Sequence, residues 1–89
     1  MAWLIEFDDT ARKDLTKLDK PVARRLVAFL RERVATLDDP RSIGEALKGS
    51  KLGEFWKYRV GDYRIISHIE DGALRILVVR VGNRREIYR

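Results

Sequence analysis

The sequence predicts an α+β domain: an N-terminal strand, an antiparallel helical hairpin, and a three-stranded antiparallel meander, joined in one sheet with the helices on one face. Three observations predict it. Apolar residues recur at helical spacing between Ala11 and Leu37. From Glu54 onward the period changes to two, and Gly/Asp pairs punctuate that half at hairpin spacing. With 89 residues in all, residues 1–89 are expected to fold as a single domain.

Trp3, Ile5 and Phe7 alternate with Leu4 and Glu6, the pattern of a half-buried strand. Asp8, Asp9 and Thr10 follow, each able to cap a helix by accepting from a free amide of the first turn. Ala11, Leu15 and Leu18 mark a short first helix ending near Asp19–Lys20. Pro21 suits the start of the next helix, where its missing N–H costs nothing. Val22, Leu26, Phe29, Leu30, Val34 and Leu37 form the apolar stripe of that helix. Its other face carries Arg24, Arg25, Arg31 and Arg33, balanced by Asp14, Asp19 and Glu32.

Asp38–Asp39–Pro40 stops the helix. Residues 41–53 read as a glycine-containing loop with one helical turn at most, most basic at Lys48 and Lys51. Phe55–Val60 and Tyr63–Ile69 are strands joined by a Gly61–Asp62 turn. Asp71–Gly72 is a second hairpin turn, and the nearly continuous apolar run Ala73–Val81 should be a central strand. Gly82–Asn83 is expected to turn the chain before 84–89.

Net charge is +5. Residues 1–47 carry nine Lys/Arg and nine Asp/Glu, whereas residues 48–89 carry ten and five. The excess therefore lies wholly in the second half, which points to a polyanionic partner there. With no cysteine, disulfides and thiolate metal sites are excluded. No apolar run is long enough to span a membrane, and the acids after Phe7 do not suit a signal peptide, so a cytoplasmic protein is expected.

Alternation places Trp56, Tyr58 and Val60 toward the helices and Phe55, Lys57 and Arg59 on the open face. On the returning strand Tyr63, Ile65, Ser67 and Ile69 face the helices, and Arg64, Ile66, His68 and Glu70 face outward. The tight turn makes Arg64 a neighbour of Arg59 or Lys57, and Arg84, Arg85 and Tyr88 follow at the end of the chain. His68 reads as a surface or satisfied sheet histidine, Tyr63 as core, and Arg75 and Arg80 as edge or solvent charges.

The segment Lys57-Tyr58-Arg59-Val60-Gly61-Asp62-Tyr63-Arg64-Ile65 resembles the central hairpin of RelE-like toxins of the RelE/ParE superfamily. Val81-Gly82-Asn83-Arg84-Arg85-Glu86-Ile87-Tyr88-Arg89 is similar to their C-terminal signature, and Phe7-Asp8 with Ala11, Asp14 and Leu18, and the Leu47-Lys48-Gly49 loop, fit as well. The resemblance implies the toxin of a type II toxin–antitoxin system, a ribosome-dependent, metal-independent endoribonuclease that cuts messenger RNA in the A site. It implies a small RelB-like antitoxin with a partly disordered wrapping segment, contact with operator DNA only through that antitoxin, and no cofactor. Carried over by motif, Lys57, Arg59, Arg64, Arg84 and Tyr88 would be catalytic. Arg64 and Arg84 would hold the scissile phosphate, and Tyr88 would act as base or position the 2′-hydroxyl. Lys48, Lys51, Phe55 and Arg85 would bind RNA.

Chemistry narrows the mechanism. One histidine rules out a two-imidazole ribonuclease, and no histidine–carboxylate pattern suggests a divalent metal site. Cleavage would use the RNA's own 2′-hydroxyl, with arginine forks neutralising the phosphorane. A tyrosine base is a poor one, since a phenol of pKa about 10 is only ~0.1% ionised at neutral pH. Two positions depart from relatives: Phe55 stands where lysine is common, and Asn83 where histidine is frequent. Phe55 is suited to stacking a base instead. A ParE-like, non-enzymatic gyrase inhibitor and an inactive toxin-like binding module are the alternatives.

Overall fold

The computed structural model describes residues 2–47 and 55–87. The elements run β1 (Leu4–Phe7), α1 (Asp9–Thr16), α2 (Lys20–Phe29), β2 (Glu45–Ala46), β3 (Phe55–Val60), β4 (Tyr63–Glu70), β5 (Arg75–Asn83) and a terminal helical turn, α3 (Arg84–Ile87). The strands form one mixed sheet in the order β1-β5-β4-β3-β2. The meander pairs antiparallel as expected, and β1 joins it in parallel with β5, Leu4 opposite Arg75 and Phe7 opposite Val78.

Asp8 is the residue that caps α1, its carboxylate accepting from Ala11 N–H at 2.9 Å. Pro21 sits in the first turn of α2. Past Phe29 the helix loosens into one π turn, Leu30–Val34, in which Ala35 N–H donates to Leu30 O at 2.8 Å. Ala11, Leu26, Leu30 and Val34 from the helices meet Tyr58, Ile65, Ile69, Ile76, Val78 and Val81 in one buried cluster, so both helices lie on the same sheet face. Phe29 sets its ring edge-on to Tyr58, with centroids 6.1 Å apart.

The structure corrects three expectations. Within residues 41–53, Glu45–Ala46 forms an added edge strand, β2, preceded by a 3₁₀ turn at Pro40–Ser42. The β4–β5 link is a 3₁₀ turn, Asp71–Ala73, with Leu74 in the left-handed region (φ 48°) in place of a two-residue Asp–Gly turn. Arg41 holds it by a two-pronged bond to Asp71, at 2.9 and 3.0 Å. Lastly, Gly82–Asn83 does not turn the chain, because β5 runs through Asn83.

An irregularity in the β4–β5 ladder between Ile66 and Ser67 pairs Ile66 with Arg80 but Ser67 with Val78. Val79 is thereby the extra residue of a bulge. The bulge reverses the parity of β5, which is why Val81 and Val78 both reach the core. Asp14 of α1 secures this stretch, its Oδ2 accepting from Val81 N–H and from Arg80 Nε, both at 2.9 Å. Among the described residues, no helix is long and apolar enough to cross a membrane.

Candidate functional site

On the sheet face away from the helices, β3 and β4 supply the first part of a cationic site. Gly61 (φ +60°) opens the two-residue turn between them, the position a II′-type hairpin requires of glycine. Tyr63 then pairs with Val60, and Arg64 lies directly opposite Arg59. Like charges facing each other across a ladder destabilise the pair. Part of that cost is offset because Arg64 Nη1 donates to the Gly61 and Tyr63 carbonyls, at 3.0 and 2.9 Å. Arg64 is only 8% exposed, so it presents a guanidinium held in place on the outward face expected of it.

The end of β5 supplies the second part. Arg84 N–H donates to Asp62 O at 3.0 Å, tying α3 to the hairpin turn. Asn83 caps that helical turn, its Oδ1 accepting from Arg85 N–H at 3.0 Å. The asparagine noted as a departure thus has a local structural task, directing Arg84 and Arg85 back toward the sheet.

The third part was not anticipated. Glu45 of β2 lies opposite Lys57, and its Oε1 stands 3.3 Å from Lys57 Nζ. Gly44, immediately before it, has φ +80°, and a Cβ there would stand 2.5 Å from Lys57 O. Only glycine lets the backbone approach β3 this closely. A two-residue strand has no periodicity to detect; the Gly44-Glu45 pair was its only trace in the sequence.

Together these parts enclose a cleft of about 540 Å³ lined by Gly44, Glu45, Lys57, Arg59, Arg64, Arg84 and Arg85. Five cations share the cleft with one carboxylate. Away from the cleft, Arg75 and Arg80 are neutralised. Arg75 bonds both Glu70 (2.6 and 3.0 Å) and Glu6 (2.9 Å), and Arg80 bonds Asp14. The Arg75 guanidinium holds the Glu70 carboxyl below its ordinary range. Concentrated positive charge in a concave site suits a phosphate-bearing ligand.

Of the residues singled out from sequence, Lys57, Arg59, Arg64, Arg84 and Arg85 come together in this cleft. Phe55 does not line it; it lies farther along β3, its ring 5.7 Å from that of His68. Lys48, Lys51 and Tyr88 lie outside the described residues. Tyr58 is buried behind the cleft and donates to Pro40 O at 2.7 Å. Burial pushes its pKa up, so it stays protonated and is no candidate base.

The family model described as the ParE toxin of type II toxin–antitoxin systems, parDE, matches residues 5–88. The chain is 32% identical to toxin RelG of Mycobacterium tuberculosis, over 100% of this chain and 99% of that one. It is 31% identical to the mRNA interferase toxin RelE of Escherichia coli, over 99% of this chain and 92% of the other. The structure is similar to the RelBE2 toxin–antitoxin complex of M. tuberculosis, with TM-score 0.84 and 27% identity over 94% of this chain and 93% of that one.

Proposed function

The chain belongs to the RelE/ParE toxin superfamily of type II toxin–antitoxin systems, and we propose that it is a toxin that inhibits translation by cutting messenger RNA positioned in the ribosomal A site. The observation that carries this reading is the five-cation cleft on the open sheet face. An RNA phosphate entering it would meet guanidinium forks from Arg59 and Arg64 of the hairpin and from Arg84 and Arg85 at the end of β5, together with the Lys57 ammonium. The 2′-oxygen attacks in line as it gives up its proton, its bond to phosphorus forming while the P–O5′ bond breaks; the 5′-oxygen takes a proton from solvent and a 2′,3′-cyclic phosphate remains. The negative charge on the phosphorane is stabilised by cations already in place. Arg64, held by backbone carbonyls, is preorganised for that role. Tyr88 is assigned as the group that accepts or directs the 2′-hydroxyl proton. The likeness to an mRNA interferase supports the reading, and the likeness to a RelBE complex supports a RelB-like antitoxin as partner.

Inducing the protein in cells and mapping messenger RNA 5′ ends tests this. Cuts in register with A-site codons, lost with Arg84→Ala, are expected. Arrested translation with intact messages would overturn it. The match to a model named for ParE favours a second reading, gyrase inhibition without catalysis. In that case toxicity survives Arg59→Ala and Arg84→Ala, and DNA-damage signalling rises.

A further inference from the structure

The cleft accounts for one end of the open β3–β4 face and leaves the other end without a role. Along this face the cross-strand pairs run Arg59–Arg64, Lys57–Ile66, Phe55–His68. His68 is in turn paired with Leu77 of β5. Side chains directly opposite one another share a face, so Phe55, His68 and Leu77 make an apolar and aromatic row across the sheet. The phenyl and imidazole rings are tilted by 56° with centroids 5.7 Å apart. All three residues are half-buried, and none belongs to the cluster that the helices cover.

The row is also at a useful distance. Arg59 lies four steps along the strand from Phe55, roughly 13 Å at the usual rise. A phosphate held by the arginines and a base resting on Phe55–His68 therefore lie within the reach of one short single strand. Lys57 stands between them to meet the intervening backbone. Flat rings beside a cationic groove are what unpaired bases stack on.

We propose that Phe55 and His68 form a base-stacking subsite for single-stranded RNA, adjoining the cleft and outside the reacting phosphate. The proposal rests on the RNA-cutting reading and adds a second contact point to it. His68 serves here as a planar surface, with no part in proton transfer. The subsite fixes the strand's register, so that the phosphate presented to Arg59, Arg64 and Arg84 lies a set number of nucleotides from the stacked base.

Binding of a short fluorescent 2′-O-methyl oligoribonucleotide, which cannot be cut through its 2′ position, tests this by anisotropy. Phe55→Ala and His68→Ala should each weaken binding roughly tenfold. Phe55→Trp should preserve it, and Phe55→Leu, which keeps apolar bulk without the ring, should not. The slope of log Kd against log salt should stay that of wild type, because no phosphate contact is lost. Replacing nucleotides one at a time with abasic residues should reveal one position at which wild type and Phe55→Ala bind alike. Wild-type affinity in Phe55→Ala and Phe55→Leu, or a loss equal at every abasic position, overturns the subsite while leaving the cleft intact. Binding indifferent to Arg59→Ala and Arg84→Ala would instead sink the RNA reading, and the subsite with it.

Discussion

The two faces of the β3–β4 hairpin are built from alternate residues of the same strands, yet they handle polarity in opposite ways. Toward the helices, Trp56 donates to Ile43 O at 2.8 Å, Tyr58 to Pro40 O at 2.7 Å, and Ser67 to Trp56 O at 3.3 Å. The side-chain polar atoms of Trp56, Tyr58 and Ser67 are matched within the chain, and Ile65 and Ile69 beside them are buried and aliphatic. On the other face Arg59 opposes Arg64, and Lys57, Arg84 and Arg85 crowd the same cleft with only Glu45 as a counter-charge among its lining residues. One face is finished by folding. Among the described residues the other keeps an excess of positive charge that suits an external anion. Folding and function thus separate by residue parity, so substitutions on the two faces should move different observables.

The largest expected effect is on the finished face. Leu30→Ala should lower stability by about 2–5 kcal/mol, because a fully buried side chain leaves a cavity. Chemical denaturation reads this directly, and a loss below 1 kcal/mol would mean the core is looser than described. Next, Arg84→Ala should lower RNA cutting on ribosomes about 10²–10³-fold, the scale for losing one donor to a developing oxyanion. The exposed Arg84 should leave the denaturation midpoint nearly unchanged. A variant that lost both equally would erase the division between faces.

Tyr58→Phe should cost about 0.5–1.5 kcal/mol at neutral pH, the net worth of one buried hydrogen bond. It also has a pH signature. The folded phenol has a raised pKa, so wild-type stability is level below the ordinary phenol value of about 10 and falls as pH rises beyond it. Tyr58→Phe should flatten that alkaline decline, and an unchanged decline would show that another group sets it. The smallest effect belongs to Glu45→Gln. Removing the carboxylate beside Lys57 should tighten binding of a polyanion roughly two- to fivefold, the scale of an exposed ion pair. Tightening that persists undiminished at high salt would not be electrostatic.

What was legible in the sequence followed from period and punctuation. Alternation in Phe55–Val60 and Tyr63–Glu70, with a Gly61–Asp62 turn between, was enough to place Lys57, Arg59 and Arg64 on one face. The helical stripe named Leu26, Leu30 and Val34, all buried. The rest depended on interactions without period. β2 is too short to alternate, so Glu45 went unseen as the partner of Lys57. The bulge at Val79 falls at the end of the apolar run Ile76–Val79, which has no alternation for it to break. Arg80 looked like a solvent charge because Asp14, its partner, is more than sixty positions away, and Arg75 because its bonds to Glu70 and Glu6 depend on turns and pairings that alternation does not show. Asn83 looked like a turn residue, since capping and turning use the same side-chain oxygen.

The parallel pairing of β1 with β5 has a consequence for how the protein is made. Leu4 leaves the ribosome early and must wait for Arg75 before its strand has a partner. β5 and two of the cleft's arginines follow β4 in the chain and so arrive together, after the β3–β4 hairpin. The pairing is long-range, and contacts of that kind form slowly. A nascent chain that has emerged only as far as β4 therefore has neither β1 paired nor an assembled cleft, and the cell meets the cationic surface only after β5, Arg84 and Arg85 have followed.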